Sequence, residues 1–192
     1  MVLGCNRIAN LSQTAKIFLR NPLLDKVTAM SDPTIFQTLR SVEFFDGIAD
    51  EHLERLAKIT QPVEFPTHSV IFREQDKAKH VYLIVSGRVA LISCDPDVGC
   101  RELMTVSDGE LIGWSPLVGR QLLSDTARTL TATKAVAIDG QQLLDLCGAD
   151  PGLGFEFMHR AAQVLAERLS ATRLQHLRLS GHQLPDVQIE TD

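Results

Sequence analysis

The stretch Val81-Tyr82-Leu83-Ile84-Val85-Ser86-Gly87-Arg88-Val89-Ala90-Leu91-Ile92 decides the fold. Its first five residues form a continuous apolar run, too short for a helix and long enough for a strand. Ser86-Gly87 punctuates the run and a second apolar segment follows, so the spacing predicts a β-hairpin. Outward from it the same rhythm recurs. Val63-Glu64-Phe65 reads as a strand, Pro66-Thr67-His68 as a turn and Val70-Ile71-Phe72 as a second strand. Glu102 to Val106, Thr129 to Thr133 and Ala135 to Ile138 supply three more. Many short strands broken by Gly, Pro and Asp predict an antiparallel barrel or double-sheet jelly roll.

Helical periodicity appears on either side of this region. Ser31 or Asp32 can cap a helix with Pro33 in its first turn, running through Leu39. Leu53, Leu56 and Ala57 mark a second helix around Asp50 to Ile59. Beyond the strands, Leu143, Leu144 and Leu146 predict a short helix ending at Gly148. Asp150-Pro151 then opens a long one, with Asp150 as cap, that persists to about Leu179 and stops at Gly181. Some 30 residues at 1.5 Å each make about 45 Å, longer than a domain of this size is wide, so the far end needs another partner. The expected fold class is α+β, mainly β: an antiparallel jelly-roll barrel flanked by N-terminal helices and by a short plus a long C-terminal helix. The expected organisation is a weakly patterned extension at 1–30, the domain at 31–180 and a polar tail at 181–192.

The chain has 192 residues, 44% hydrophobic and 22% charged, the ordinary balance of one globular domain. No apolar run reaches the roughly 18 residues that span a bilayer, so no membrane partner is expected. Nineteen Lys and Arg against 24 Asp and Glu give a net charge of −5, which argues against a basic nucleic-acid coat. Aromatics at 5% argue against a stacking platform for single strands. Cys5, Cys94, Cys100 and Cys147 form no Cys-x-x-Cys pair, so a zinc ribbon or disulfide scaffold is not expected. Cys94 and Cys100 flank the turn-like Asp95–Gly99 and could face each other across a hairpin; they are expected to be reduced and structurally quiet. The start lacks a signal-peptide pattern, and the expected location is cytoplasmic.

The order helix, small barrel, short helix, long helix, together with three motifs, resembles the cyclic nucleotide-binding domain of Crp/Fnr-type bacterial sensors. Val81 to Val89 resembles that family's central hairpin, Asp108-Gly109-Glu110-Leu111-Ile112-Gly113 its Gly-rich approach to the phosphate-binding cassette, and Ala127-Arg128-Thr129-Leu130 with Val136-Ala137-Ile138-Asp139 its last barrel strands. The resemblance covers about residues 36 to 178. It implies a regulatory function, a parallel homodimer through the long helix, and a cassette that closes on a ligand and biases the hinge at Gly148-Ala149-Asp150-Pro151. In the family's transcription factors a winged helix-turn-helix domain follows the long helix. Here only about 12 polar residues follow Ser180, so sequence-specific DNA binding is not expected.

The cassette departs from the family's chemistry. There a Gly-Glu carboxylate binds the ribose 2′-hydroxyl, and an Arg about ten residues later pairs with the cyclic phosphate, followed by a small residue and an Ala. Anchoring on Ile112-Gly113 puts Trp114 in the Glu slot. Anchoring on Ala127 to Leu130 puts Leu123 in the Arg slot and Asp125 in the Ala slot. An indole offers one N–H and no acceptor, Leu123 offers no charge, and Asp125 repels an anion. The ligand-binding positions implied are Gly113, Trp114, Ser115, Leu117, Arg120, Leu123, Ser124, Asp125, Thr126 and Arg128. Trp114, Leu117, Leu122 and Leu123 would suit an apolar or uncharged ligand, or fill the pocket themselves; Arg120 or Arg128 is the alternative phosphate partner.

On the long helix, Met158, Ala162, Leu165, Leu169, Thr172, His176 and Leu179 follow a 4-3-4-3-4-3 spacing, a coiled-coil seam. Its first part can pack on the barrel; Leu165, Leu169, Thr172, His176 and Leu179 are the expected dimer interface. Arg160, Arg168, Arg173 and Arg178 give the helix a basic side, read as a solvated face suited to the C-terminal end of the helix dipole, or else as a contact for an anionic partner. No catalytic or metal-binding constellation emerges among the six histidines, and no cofactor is expected. The expectation is therefore a non-enzymatic, stand-alone sensor or regulatory module that takes an atypical small ligand or a protein partner. The alternatives are a ligand-free dimerisation module, a cyclic nucleotide binder using Arg120 or Arg128 and, least favoured, a cupin-like enzyme.

Overall fold

The computed structural model describes residues 32–180. Readings at 1–30, Ser31, Gly181 and the 181–192 tail lie outside the described residues. In chain order the elements are α1 (Asp32–Arg40), α2 (Asp50–Ala57), β1 (Thr60–Phe65), β2 (Val70–Phe72), β3 (His80–Ser86), β4 (Val89–Asp95), β5 (Gly99–Val106), β6 (Leu111–Ile112), β7 (Thr126–Thr129), β8 (Thr133–Asp139), α3 (Gly140–Ala149) and α4 (Pro151–Ser180). Short 3₁₀ turns occupy Glu43–Phe45 and Ser115–Val118.

The strands form two antiparallel four-stranded sheets, ordered β1-β8-β3-β6 and β2-β7-β4-β5. Side-chain alternation explains the apolar runs. In β3, Val81 and Leu83 face a helical core containing Phe44, Phe45, Leu53, Leu56, Leu143 and Phe157. Tyr82 and Ile84, one residue out of phase, enter the space between the sheets with Phe72, Leu91 and Leu123. In β8, Val136 and Ile138 join the first core, Ala135 and Ala137 the second. The sheet is thus buried on both faces, and strands of that kind read as continuous apolar runs.

That double burial corrects the hairpin expectation. β3 pairs with β6 and β8, whereas β4 pairs with β5 and β7. Ser86-Gly87 is therefore a corner where the chain changes sheets, and the hairpin lies one strand later, between β4 and β5. Thr129–Thr133 is corrected as well. It is the second sheet-switching corner, pinned to the first by Leu130 N–H to Arg88 O (2.7 Å) and Arg88 N–H to Thr131 Oγ1 (3.0 Å). Strand formation stops at Thr129 and resumes at Thr133.

Cys94 and Cys100 are cross-strand partners in the β4–β5 hairpin and are joined by a disulfide, correcting the expectation of two reduced thiols. The turn between them is built by Asp95, whose Oδ1 accepts from the amides of Asp97 and Val98.

Gly87 has φ +120°, and a Cβ there would lie 2.6 Å from Thr133 Oγ1 and 2.9 Å from Ala132 O. Gly87→Ala is therefore expected to destabilise the fold by roughly 1–3 kcal/mol through backbone strain, seen as a lower urea midpoint. An unchanged midpoint would show that the corner tolerates a side chain.

Candidate functional site

The segment after β6 leaves the sheet at Gly113, where φ is +68° and a Cβ would lie 3.1 Å from His80 O and 3.3 Å from the Phe72 ring. Glycine alone allows this close approach. Trp114 precedes the 3₁₀ turn Ser115–Val118, which ends at Gly119 in the left-handed region. The chain then runs beside residues 75–78: Leu123 N–H donates to Asp76 O (2.9 Å), Gln75 N–H to Leu123 O (3.0 Å) and Ala78 N–H to Gln121 O (2.9 Å). This backbone lattice fixes where each side chain of the loop points.

Five of the expected ligand positions come together. Gly113, Trp114, Ser115, Ser124 and Asp125 line a cavity of about 10 Å³ with Phe72, Leu91, Ile112 and Arg168. That volume holds about one water. Five positions do not line it. Leu123, 5% exposed, belongs to the core between the sheets, and Leu117 packs on the helical core. The Thr126 hydroxyl accepts from the Glu74 amide (2.9 Å). Arg120 and Arg128 are exposed. Leu122 is also exposed, forming an isolated bridge with Lys77.

The cavity abuts a groove of about 540 Å³ between the β4–β5 sheet edge and α4, the two sharing Leu91, Trp114, Asp125 and Arg168. All five expected interface residues, Leu165, Leu169, Thr172, His176 and Leu179, line this groove.

Sequence reading missed Arg168 as a site residue. It assigned that residue to a solvated basic face, yet the side chain is only 12% exposed and its Nη2 lies 3.3 Å from Glu110 Oε1. Burial pulls its pKa down, opposed by the Glu110 and Asp125 carboxylates. Its spacing of three from Leu165 and four from Thr172, one helical face, was the available sign. Arg160 is likewise not free: it donates to Phe44 O (3.1 Å) and to Asp46 O. Among the described residues, no group of three or more His, Cys, Asp or Glu is placed to hold a metal, and no helix is long and apolar enough to cross a membrane.

Residues 62–150 match the cyclic nucleotide-binding domain family. The chain is 28% identical over 137 residues to a CRP-like cAMP-activated global transcriptional regulator of Mycobacterium tuberculosis, covering 71% of this chain and 59% of that protein. The fold is shared with the Thermus thermophilus catabolite activator protein (TM-score 0.59, 28% identity, 71% of this chain and 62% of that one). It is shared too with the N-terminal domain of a Streptomyces coelicolor transcriptional regulator (TM-score 0.56, 25% identity, 68% and 93%). These relatives are described as regulators, and the chain spans about 59% of the length of the curated one.

α3 and α4 meet at Asp150. α3 ends at Ala149, α4 starts at Pro151, and Asp150 between them is extended (φ −131°, ψ 91°). Asp150 Oδ1 caps α4 by accepting from Leu153 N–H (3.2 Å). Its Oδ2 meets Arg55 and lies 3.5 Å from His52 Nε2, while His52 Nδ1 lies 3.2 Å from Glu156 Oε2. The α3–α4 junction is thus clamped to α2. Gly154 lets the helices close: a Cβ there would lie 2.7 Å from Cys147 O.

The Leu153 amide, opposed by desolvation and aided by His52 and Arg55, holds the Asp150 carboxyl below its usual pKa. A depressed carboxylate stabilises the fold above its unfolded pKa, roughly 4, and loses that effect as pH falls through the lower folded value. Asp150→Asn is therefore expected to lower Tm at neutral pH, with the gap from wild type closing on acidification below about pH 4. A pH-independent gap would mean that the charge of Asp150 is not the source.

Proposed function

We propose that residues 31–180 form a sensor module of the CRP type whose cassette does not hold cyclic AMP or cyclic GMP in the family's usual way. The module takes an atypical small ligand or a protein partner, works as a homodimer through α4, and signals through the α3–α4 hinge. The observation that carries this reading is Leu123. The position implied for the phosphate-binding arginine is an apolar side chain, 5% exposed, packed into the core between the sheets. Arg120 and Arg128 are exposed and line neither the cavity nor the groove. The loss of the carboxylate and of the arginine, each worth about 1.5–3 kcal/mol, implies at least about a hundredfold weaker binding than an intact cassette.

The dimer reading is supported by the far half of α4. The buried residues of this helix are Leu153, Gly154, Phe157 and Ala161. Leu169, Leu174, Leu177 and Leu179 are 49–77% exposed. A second copy of the helix offers the matching apolar seam. The competing reading, a ligand-free dimerisation module, is favoured by the small volume of the enclosed cavity.

Titration calorimetry with cyclic AMP and cyclic GMP is expected to give no low-micromolar binding. Low-micromolar affinity abolished in Arg120→Ala would overturn the cassette reading. Light scattering is expected to give twice the mass of the chain, falling towards the monomer in Leu169→Glu. A monomeric wild type at tens of micromolar would overturn the dimer.

A further inference from the structure

Arg168 presents a chemical imbalance. Its guanidinium has five N–H donors. Nη2 meets Glu110, whose other oxygen is occupied by the Ser107 amide (2.6 Å). Nε and Nη1 are both buried and neither has a hydrogen-bond partner. A buried cation with unpaired donors is costly, and the cost is removed when an anion supplies the missing acceptors. Arg168 lines the small cavity, and that cavity abuts the groove, which Arg168 lines as well. The groove beyond is largely apolar, with Leu103 and Met104 on one side and Leu165 and Leu169 on the other.

We propose that Arg168 anchors the oxyanion head, phosphate or carboxylate, of an amphipathic small molecule whose apolar body lies in the groove between the β4–β5 edge and α4. This rests on the sensor reading above and names its ligand class. The charged partner comes from the long helix rather than from the cassette loop, so binding acts directly on α4. Ser115, which lines the same cavity, offers a hydroxyl donor to the head, whereas the Ser124 hydroxyl is already donated to Asp125 Oδ2 (2.7 Å). Asp125 opposes it: its carboxylate lines both cavity and groove and lies close enough to raise the Arg168 pKa. A partner helix in a dimer would cover the groove along Thr172 to Leu179 and complete the wall around the body.

The probes are octyl phosphate, octanoate, inorganic phosphate and octanol, titrated calorimetrically into the full chain. Saturable binding is expected for octyl phosphate or octanoate, the better of the two identifying the head. Inorganic phosphate and octanol, each lacking half of the ligand, are expected to bind at least about tenfold more weakly. Arg168→Met is expected to lose about tenfold or more of the affinity, the scale of one lost charge-assisted contact. Asp125→Asn is expected to tighten binding, a direction that misfolding does not produce. No saturable binding of either amphiphile, equal affinity in Arg168→Met, or octanol binding as well as octyl phosphate would each overturn the proposal. Cyclic AMP supplies the separating arm. Tight binding lost in Arg120→Ala overturns the cassette reading, whereas tight binding lost only in Arg168→Met overturns the exclusion of cyclic nucleotides and keeps Arg168 as the anchor.

Discussion

The rest of the structure depends on one constraint: the sheet containing β3 and β8 is apolar on both faces. Val81, Leu83, Val136 and Ile138 bind it to the helices, while Tyr82, Ile84, Ala135 and Ala137 close the barrel. Because successive side chains on a strand point to opposite faces, one pair of strands contributes to two cores at once. Side chains such as Val81 and Ile138, 0% exposed, tolerate no loose fit. A shift of α3 or α4 over one face must then be accommodated by strands whose other face forms the barrel interior.

The same double burial governs what could be read from the sequence. Element types, the antiparallel double-sheet architecture and the long helix from Pro151 were all legible, because apolar periodicity and the Asp150-Pro151 cap are local signals. The partner of β3 was not. A run buried on both faces carries no alternation to show which neighbour it faces, and Ser86-Gly87 looks the same as a hairpin turn or as a corner between sheets. The corner at Thr129–Thr133 was misread for a related reason: threonines favour strands, but here the Thr131 hydroxyl accepts from the Arg88 amide across the corner. The Cys94–Cys100 pairing follows from register, which the turn at Asp95 fixes and composition does not reveal.

The site was half legible. Gly113, Trp114, Ser115, Ser124 and Asp125 converge on the cavity, because they flank the glycine exit and the loop that returns to β7. Leu123 and Thr126 were implied for the same loop but point elsewhere, since the backbone bonds to Asp76 and Gln75 rotate the loop and a one-residue step reverses a side chain. Arg168 was hidden by distance in sequence. It lies 58 residues from Glu110, and helical charge patterns predict neighbours on the helix, not a carboxylate on the barrel.

The position of Arg168 along α4 separates two jobs that one helix carries. Leu153, Phe157 and Ala161, buried at its start, are anchored to the helical core. Leu169, Leu174, Leu177 and Leu179 further along are exposed, the surface assigned above to the proposed dimer. Arg168 stands at the boundary, with one guanidinium nitrogen on Glu110 and two without acceptors. A residue there, with donors to spare beside a largely apolar groove, is placed to respond both to what occupies the cavity and to how α4 lies against β4 and β5. An anion that completes its hydrogen bonds stabilises only those positions of α4 that keep the guanidinium at the cavity, and a ligand shifts an equilibrium by as much as its affinities for the two states differ. Under the proposal, the incomplete pairing of a single buried arginine links what occupies the cavity to the position of α4.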